Sequence, residues 1–209
     1  MDYKFLGKLN FPADLKNLGE TEIKELCAEI RDTLINTVSQ NGGHLASNLG
    51  VVELTVALHR FFSTPEDSII FDVGHQCYTH KLLTGRYDRF ATIRLENGIS
   101  GFMRPDESEY DPFVTGHASN SLAAAYGIFK ANQLSGKKGT CVAVIGDGAM
   151  TGGLALEALN NIGGSKGKFI VVLNDNKMSI STNVGSMSQH LKRIRLKPGY
   201  YRFKSSTES

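Results

Sequence analysis

Apolar residues recur every three or four positions along much of the chain, which is the spacing of helices that bury one face. The helices predicted from this pattern cover residues 21–40, 50–62, 119–134 and 154–162. The sequence NGG at 41–43 ends the first helix, and Ser119 or Asn120 supplies the N-cap of the third. Between the helices, short runs rich in apolar and β-branched residues predict strands over 68–74, 140–145 and 168–173.

The order of these elements predicts the fold class. A strand, a helix and a second strand follow one another over 140–173, which indicates a parallel sheet covered on both faces. We therefore expect an α/β fold with an open, doubly wound, mostly parallel sheet and helices on both faces. One domain is expected over 1–209, with an N-terminal extension at 1–20, a long loop at 94–115 and a mobile linker or tail at 181–209. The last two segments are expected to be the least ordered.

Composition narrows the class of protein. The 23 Lys and Arg residues nearly balance the 21 Asp and Glu residues, and the net charge of +2 does not suggest a nucleic-acid surface. Three widely spaced cysteines without a CxxC motif indicate neither a disulfide framework nor a thiolate zinc site, so a reducing, cytoplasmic location is expected. No apolar run approaches the roughly 18 residues of a membrane span and no leader is evident, so we expect a soluble protein that is not exported.

Polar and glycine-rich motifs follow the predicted strands at the point where each strand ends. DVGHQ at 72–76, GDGAM at 146–150 and NDNKMS at 174–179 all lie in this position, and TGHASN at 115–120 precedes a helix. Because ligands of open parallel sheets bind outside the carboxyl ends of the strands, we expect these loops to converge on one site.

Asp147 and Asn176 suggest the chemistry of that site. Each alone is typical of a turn, but together they place two oxygen donors at the ends of neighbouring strands, which suits Mg²⁺ with phosphate oxygens completing its coordination. Gly146 and Gly148 allow the backbone to approach an anion, and the helix that follows offers free N–H groups. The sequence therefore predicts a site for a diphosphate and a divalent metal.

The GDG motif and the NDN motif about 30 residues later resemble the thiamine diphosphate signature of transketolase-like enzymes. The longer stretches HLASNLGVVELTVALH (44–59), DVGHQCYTHKLLTGR (72–86), GISGFMRPDESEYD (98–111) and NDNKMSISTNVG (174–185) are similar to the N-terminal domain of 1-deoxy-D-xylulose-5-phosphate synthases. This resemblance covers about residues 1–200, and it implies a thiamine diphosphate-binding fold with thiamine diphosphate and Mg²⁺ as cofactors.

The resemblance also implies roles for individual residues. The implied metal ligands are the side chains of Asp147 and Asn176 and the backbone carbonyl of Met178. The residues implied to contact the cofactor, several of them through the backbone, are Ser47, His75, Gly116, His117, Ala118, Gly146, Gly148, Ala149 and Asn176. His44 and His75 are implied to lie over the thiazolium and to transfer protons. One departure is visible, since the family usually reads Gly-His-Ser-Ser-Thr where this chain reads Gly-His-Ala-Ser-Asn at 116–120.

The implied reaction joins pyruvate to D-glyceraldehyde 3-phosphate with loss of CO₂, and its product feeds isoprenoid, thiamine and pyridoxal synthesis. In the family a glutamate that activates the cofactor comes from a second, pyrimidine-binding domain, which these 209 residues do not include. The chain is therefore expected to be a subunit of a split enzyme with a partner chain, or a truncated product, and to be inactive alone; a homodimer is also expected. The alternatives are an N-terminal subunit of transketolase type and a non-catalytic thiamine diphosphate-binding module.

Overall fold

The computed structural model describes residues 3–175 and 185–200. The helices are α1 (Glu20–Asn41), α2 (Leu45–Leu49), α3 (Val52–Phe61), α4 (Tyr78–Leu82), α5 (Ser121–Leu134), α6 (Gly153–Gly163) and α7 (Ser186–Arg195). The strands are β1 (Ser68–Phe71), β2 (Cys141–Gly146) and β3 (Phe169–Asn174). Over these residues, no helix has the length and apolar character needed to cross a membrane.

The three strands form a parallel sheet in the order β1, β2, β3. Phe71 at the end of β1 is in register with Val144, and Gly146 at the end of β2 is in register with Asn174 at the end of β3. Because the strands run in the same direction, the loops that follow them leave the sheet at one edge, which we call the carboxyl edge.

Successive strand residues face opposite sides of the sheet, and each side is covered by helices. Ile69 and Val142 belong to one buried cluster with residues of α1, α3 and α4. Ile70 and Ala143 belong to a second buried cluster with residues of α5 and α6. The predicted α/β class with helices on both faces is therefore confirmed.

Most predicted elements match the structure to within a residue or two at each end, but some predictions are wrong. The helix predicted over 50–62 corresponds to α3, but the short helix α2 that precedes it was not predicted. Strand β1 ends at Phe71 instead of continuing to residue 74. Helix α4 was not predicted, and α7 lies inside the segment expected to be a mobile tail.

The N-terminal segment packs as part of the core and not as an appended extension. Phe5 and Leu6 are buried in the cluster that covers β1. The Glu29 carboxylate on α1 accepts hydrogen bonds from the backbone N–H groups of Lys4, Phe5 and Leu6, at 2.7 to 3.3 Å. The first residues are thus attached to α1 by backbone contacts as well as by apolar burial.

The loop over 94–115 has no helix or strand, as predicted, but it is held by buried charges. The Arg86 guanidinium donates to both carboxylate oxygens of Asp111, at 2.7 and 2.9 Å, and the Lys81 ammonium donates to Glu107. Glu107 also accepts from the backbone N–H of Ser100 at 2.7 Å. The acidic residues of the loop thus neutralise two buried cations and attach the loop to the rest of the fold.

Two buried histidines are hydrogen-bonded to Asp111 and to each other. His80 donates through Nε2 to Asp111 at 2.7 Å, and its Nδ1 lies 2.9 Å from Nε2 of His59. Nδ1 of His59 lies 3.3 Å from the Thr64 hydroxyl. An ionised Asp111 can only accept, so it fixes the donor in each of these hydrogen bonds. Thr64 donates to His59, His59 donates to His80, and His80 donates to Asp111. We call His59, His80, Lys81, Arg86, Glu107 and Asp111 the buried charge network.

Candidate functional site

Asp72 joins two of the loops that the sequence predicted to converge. It is the first residue after β1 and is 2% exposed. One carboxylate oxygen accepts from the backbone N–H of Ser119 at 2.8 Å, and the other accepts from that of Ser121 at 3.0 Å. Asp72 therefore caps the first turn of α5 from another loop. Asn120 occupies the N-cap position, but its side chain makes no cap hydrogen bond.

Ser119 connects the third loop to this pair. Its hydroxyl donates to the backbone carbonyl of Ala149 at 2.7 Å. A Cβ added to Gly152 would lie 2.1 Å from the same hydroxyl oxygen, so the two segments are in close contact. Asp72 and Ser119 thus hold together the loops that follow β1, precede α5 and follow β2. The predicted convergence is therefore confirmed for the motifs DVGHQ, TGHASN and GDGAM, whereas most of NDNKMS lies outside the described residues.

Two residues of these loops have backbone conformations that side chains rarely adopt. Val73 has φ of 58° and Ser119 has φ of 71°. A β-branched residue such as valine is a genuine outlier in this region, and each such residue costs about 1–3 kcal/mol. The backbone hydrogen bonds to Asp72 hold Ser119 in this conformation.

Gly74 provides a third close contact at the carboxyl edge. Its φ is 77°, and an added Cβ would lie 2.0 Å from the hydroxyl oxygen of Thr115. Thr115 in turn accepts from the backbone N–H of Met103 at 3.1 Å. The loop after β1 therefore lies directly against the end of the 94–115 segment.

We expect Gly74→Ala to destabilise the protein more than Gly85→Ala, measured as the free energy of unfolding in denaturant. Gly85 has φ of 78° but nothing within 4 Å of an added Cβ, so its substitution carries only the conformational cost of about 1 kcal/mol. Gly74→Ala adds a steric clash worth about 1–3 kcal/mol. Equal losses for the two variants would show that the contact between Gly74 and Thr115 is not close.

His44 and His75, predicted from the resemblance to be catalytic, are brought together. Their ring centroids are 5.1 Å apart with an interplanar angle of 70°, and the ring of Phe102 lies 6.5 Å from that of His44. His44 is exposed, whereas His75 is half-buried. Burial lowers the pKa of His75 and the neighbouring His44 lowers it further, although Asp72 acts in the opposite direction. His75 is therefore neutral at pH 7 and can accept a proton.

Asn48 lies between the backbone segments that carry these two histidines. It is fully buried on α2. Its Nδ2 donates to the carbonyl oxygens of His44 and His75, both at 2.8 Å, and its Oδ1 accepts from the backbone N–H of Tyr78 at 2.9 Å.

The other residues predicted to contact a cofactor occupy accessible positions. Gly116, His117 and Ala118 are exposed, and an added Cβ on Gly116 would meet nothing within 4 Å. Ser47 is partly exposed on α2, beside Asn48. The exposed stretch over 116–118 ends at Ser119, so it begins where the three loops are joined.

Gly146, Asp147, Gly148 and Ala149 lie where β2 ends, and all four are partly exposed. After Gly148, a 3-10 turn over Ala149–Thr151 precedes α6, which begins at Gly153, close to the start of the helix predicted over 154–162. Asn176 and Met178, predicted as metal ligands, lie outside the described residues. Within residues 3–175 and 185–200, no group of three or more His, Cys, Asp or Glu side chains could hold a metal ion.

Several buried polar atoms at the carboxyl edge find no hydrogen-bond partner among the residues that the structure describes. They are Nδ1 of His75, Oε1 of Gln76, Oδ1 of Asn120 and Oγ of Ser121. Buried polar groups are nearly always paired in folded proteins, so a cluster of unpaired ones needs an explanation. The edge can therefore offer hydrogen bonds to a polar ligand.

Sequence reasoning missed Asp72, Asn48 and the buried charge network. A polar residue directly after a buried strand was the signal available for Asp72, because it marks the carboxyl edge. No comparable signal distinguishes Asn48 from other polar residues near glycine. These features define an α/β domain whose candidate site is assembled from strand-end loops.

Comparison with known proteins identifies the family. The family model for 1-deoxy-D-xylulose-5-phosphate synthase matches residues 6–209. The chain is 59% identical to the 1-deoxy-D-xylulose-5-phosphate synthase of Dictyoglomus thermophilum, over 98% of this chain and 33% of that protein. It is 57% identical to that of Alkaliphilus oremlandii, over 99% of this chain and 33% of that protein. The chain belongs to the 1-deoxy-D-xylulose-5-phosphate synthase family, and it spans about one third of the length of these relatives.

Proposed function

We propose that the carboxyl edge binds thiamine diphosphate and Mg²⁺, and that the chain supplies this part of the active site of a 1-deoxy-D-xylulose-5-phosphate synthase. The complete enzyme would join pyruvate to D-glyceraldehyde 3-phosphate with release of CO₂. The observation that carries the proposal is the joining of three loops by Asp72 and Ser119. These loops contain most of the residues that the family resemblance assigns to cofactor and metal.

The residues present at this edge fit a polar, anionic ligand with an organic ring. Gly116 is open, residues 116–118 are exposed, and the unpaired atoms of His75 and Ser121 can form further hydrogen bonds. The Asp147 and Asn176 side chains and the Met178 carbonyl would hold the metal, a set of oxygen donors suited to Mg²⁺. Backbone N–H groups of Gly148 and Ala149 would meet the diphosphate.

The bound cofactor would supply the electron sink for decarboxylation, while the protein supplies position and charge. His75 is neutral because burial lowers its pKa, so its role would be to accept a proton. His44 is exposed beside it and would exchange protons with substrate groups that enter from solvent.

The cofactor also needs a glutamate at its pyrimidine ring, which the resemblance assigns to another domain. The relatives are about three times as long as this chain. We propose that the missing part comes from further sequence of a longer protein or from a partner chain that carries the pyrimidine-binding domain. Of the glutamates on helices, Glu53 on α3 pairs with Arg31 of α1, and Glu157 is exposed on α6.

Calorimetric titration with thiamine diphosphate and Mg²⁺ tests the proposal. We expect binding heat from the unmodified chain and a loss of affinity of at least about tenfold in Asp147→Ala, because a charged metal ligand is removed. Glu157→Ala is the matched control, since it removes a carboxylate from the exposed side of α6. The absence of heat with the unmodified chain, or equal affinity for Asp147→Ala, would contradict the proposed site.

A further inference from the structure

Asn48 uses all of its hydrogen-bonding groups on the backbone around the two histidines. Both hydrogens of its amide nitrogen are directed at carbonyl oxygens, those of His44 and His75, and its amide oxygen accepts from the N–H of Tyr78. Exchange of its amide nitrogen and oxygen would place an acceptor against two acceptors and a donor against a donor. The side chain therefore has one orientation.

The burial of Asn48 makes this arrangement demanding. The residue is fully buried, and burying an amide without partners costs several kcal/mol. All of these hydrogen bonds are made to the backbone. The partners are His44, His75, which is 27 residues after Asn48, and Tyr78 at the start of α4. A displacement of the segment of either histidine would leave a buried donor unpaired, so Asn48 holds each segment relative to the other.

A second side chain connects loops in a similar way at the opposite edge of the sheet. The Asp67 carboxylate, just before β1, accepts from the backbone N–H groups of Ser63 and Thr140 at 2.7 and 2.6 Å. Asp67 stabilises a loop contact far from the histidines. Asn48 and Asp67 thus both join separate segments through backbone hydrogen bonds, but only Asn48 joins the segments that carry His44 and His75.

We infer that Asn48 is a positioning residue that sets the distance and angle between the rings of His44 and His75. The inference rests on the proposed function in one respect. If His44 and His75 transfer protons as proposed, Asn48 positions both of them for that role. The rings are in edge-to-face contact, with centroids 5.1 Å apart, but His44 is exposed, so this contact alone does not fix the position of its ring. Catalytic groups need placement to within about 0.5 Å, and this precision comes from the residues that support them.

Histidine NMR of the chain tests this inference. We expect nuclear Overhauser contacts between the ring protons of His44 and His75 in the unmodified protein, given their separation. Asn48→Leu preserves most of the volume but removes every hydrogen bond, so the contacts are expected to be lost. Asn48→Ser is small enough to admit a water and decides the question if the leucine variant does not fold. We also expect the pKa of His75 to rise towards its ordinary value in these variants as burial is relaxed.

Asp67→Ala is the control, because it removes two backbone hydrogen bonds at the opposite edge. Loss of the ring contacts in Asn48→Ser with their retention in Asp67→Ala supports the inference. Retention in both variants, or loss in both, overturns it. Binding heat for thiamine diphosphate and Mg²⁺ is measured separately on the unmodified chain, so failure of the proposed function is distinguished from failure of the positioning role.

Discussion

Replacing Asp111 with alanine is expected to lower the free energy of unfolding by about 3–5 kcal/mol, the cost of removing one partner from a buried ion pair. Asp111 is 1% exposed and accepts from the Arg86 guanidinium, from His80 and from the backbone N–H of Arg104. Burial raises the pKa of Asp111, but the hydrogen bonds from His80 and Arg86 outweigh it and hold the pKa well below its ordinary range. Alanine leaves a buried guanidinium with one carboxylate fewer.

The same loop provides a matched control for Asp111. Asp106 pairs with Arg104 at 2.9 Å, but both side chains are more than half exposed. Asp106→Ala is expected to leave the unfolding midpoint unchanged, since exposed ion pairs contribute little. Asp111→Asn keeps the shape and one acceptor oxygen, so we expect a loss smaller than that of alanine. Equal effects at positions 106 and 111 would show that the buried charge network does not stabilise the loop.

Elements that depend on local pattern were well predicted from the sequence. The apolar periodicity over 21–40 matches α1, and the runs over 140–145 and 168–173 match β2 and β3 within one residue. Elements that depend on tertiary contacts were not predicted. Helix α4 has five residues, all of them buried, so it has no polar face to produce a periodic pattern.

The loop over 94–115 shows why its buried charge pairs could not be predicted from composition. Its carboxylates resemble those of a solvated loop, but Glu107 and Asp111 neutralise Lys81 and Arg86, which lie beneath it. Pairing between charges about 25 residues apart leaves no local signal in the sequence.

The location of the candidate site could be predicted because the ends of parallel strands place the loops that follow them at one edge of the sheet. The motif after β2 and the loop before α5 converge because the parallel sheet brings them to one edge, as predicted. The residues that join the loops were not predicted, because Asp72 acts through its partners on α5 and Asn48 acts through backbone carbonyls. Such roles depend on which segments become neighbours after folding.

Acidification from pH 7 to about 5.5 is expected to destabilise the protein by about 2 kcal/mol through the two buried histidines of the network. Burial lowers the pKa of His59 well below its ordinary value, and the charges of His80 and Arg86 lower it further. Burial also lowers the pKa of His80, although Asp111 opposes the shift; Arg86 and Lys81 act in the same direction as burial. Both pKa values are therefore lower in the folded protein than in the unfolded chain, so the unfolded chain binds protons first as the pH falls.

The sign follows from this difference in bound protons. Below the unfolded pKa of about 6.5, the unfolded state takes up more protons, so stability falls as the pH falls, by up to about 1.4 kcal/mol per pH unit for each histidine. Denaturant unfolding at several pH values measures this slope. His59→Gln keeps a donor for Nδ1 of His80 and is expected to reduce the slope, whereas His190→Gln, on an exposed part of α7, is expected to leave it unchanged. A free energy of unfolding that stays constant between pH 7 and 5.5 would contradict this prediction. It would show that the two histidines bind protons equally well in the folded protein and in the unfolded chain.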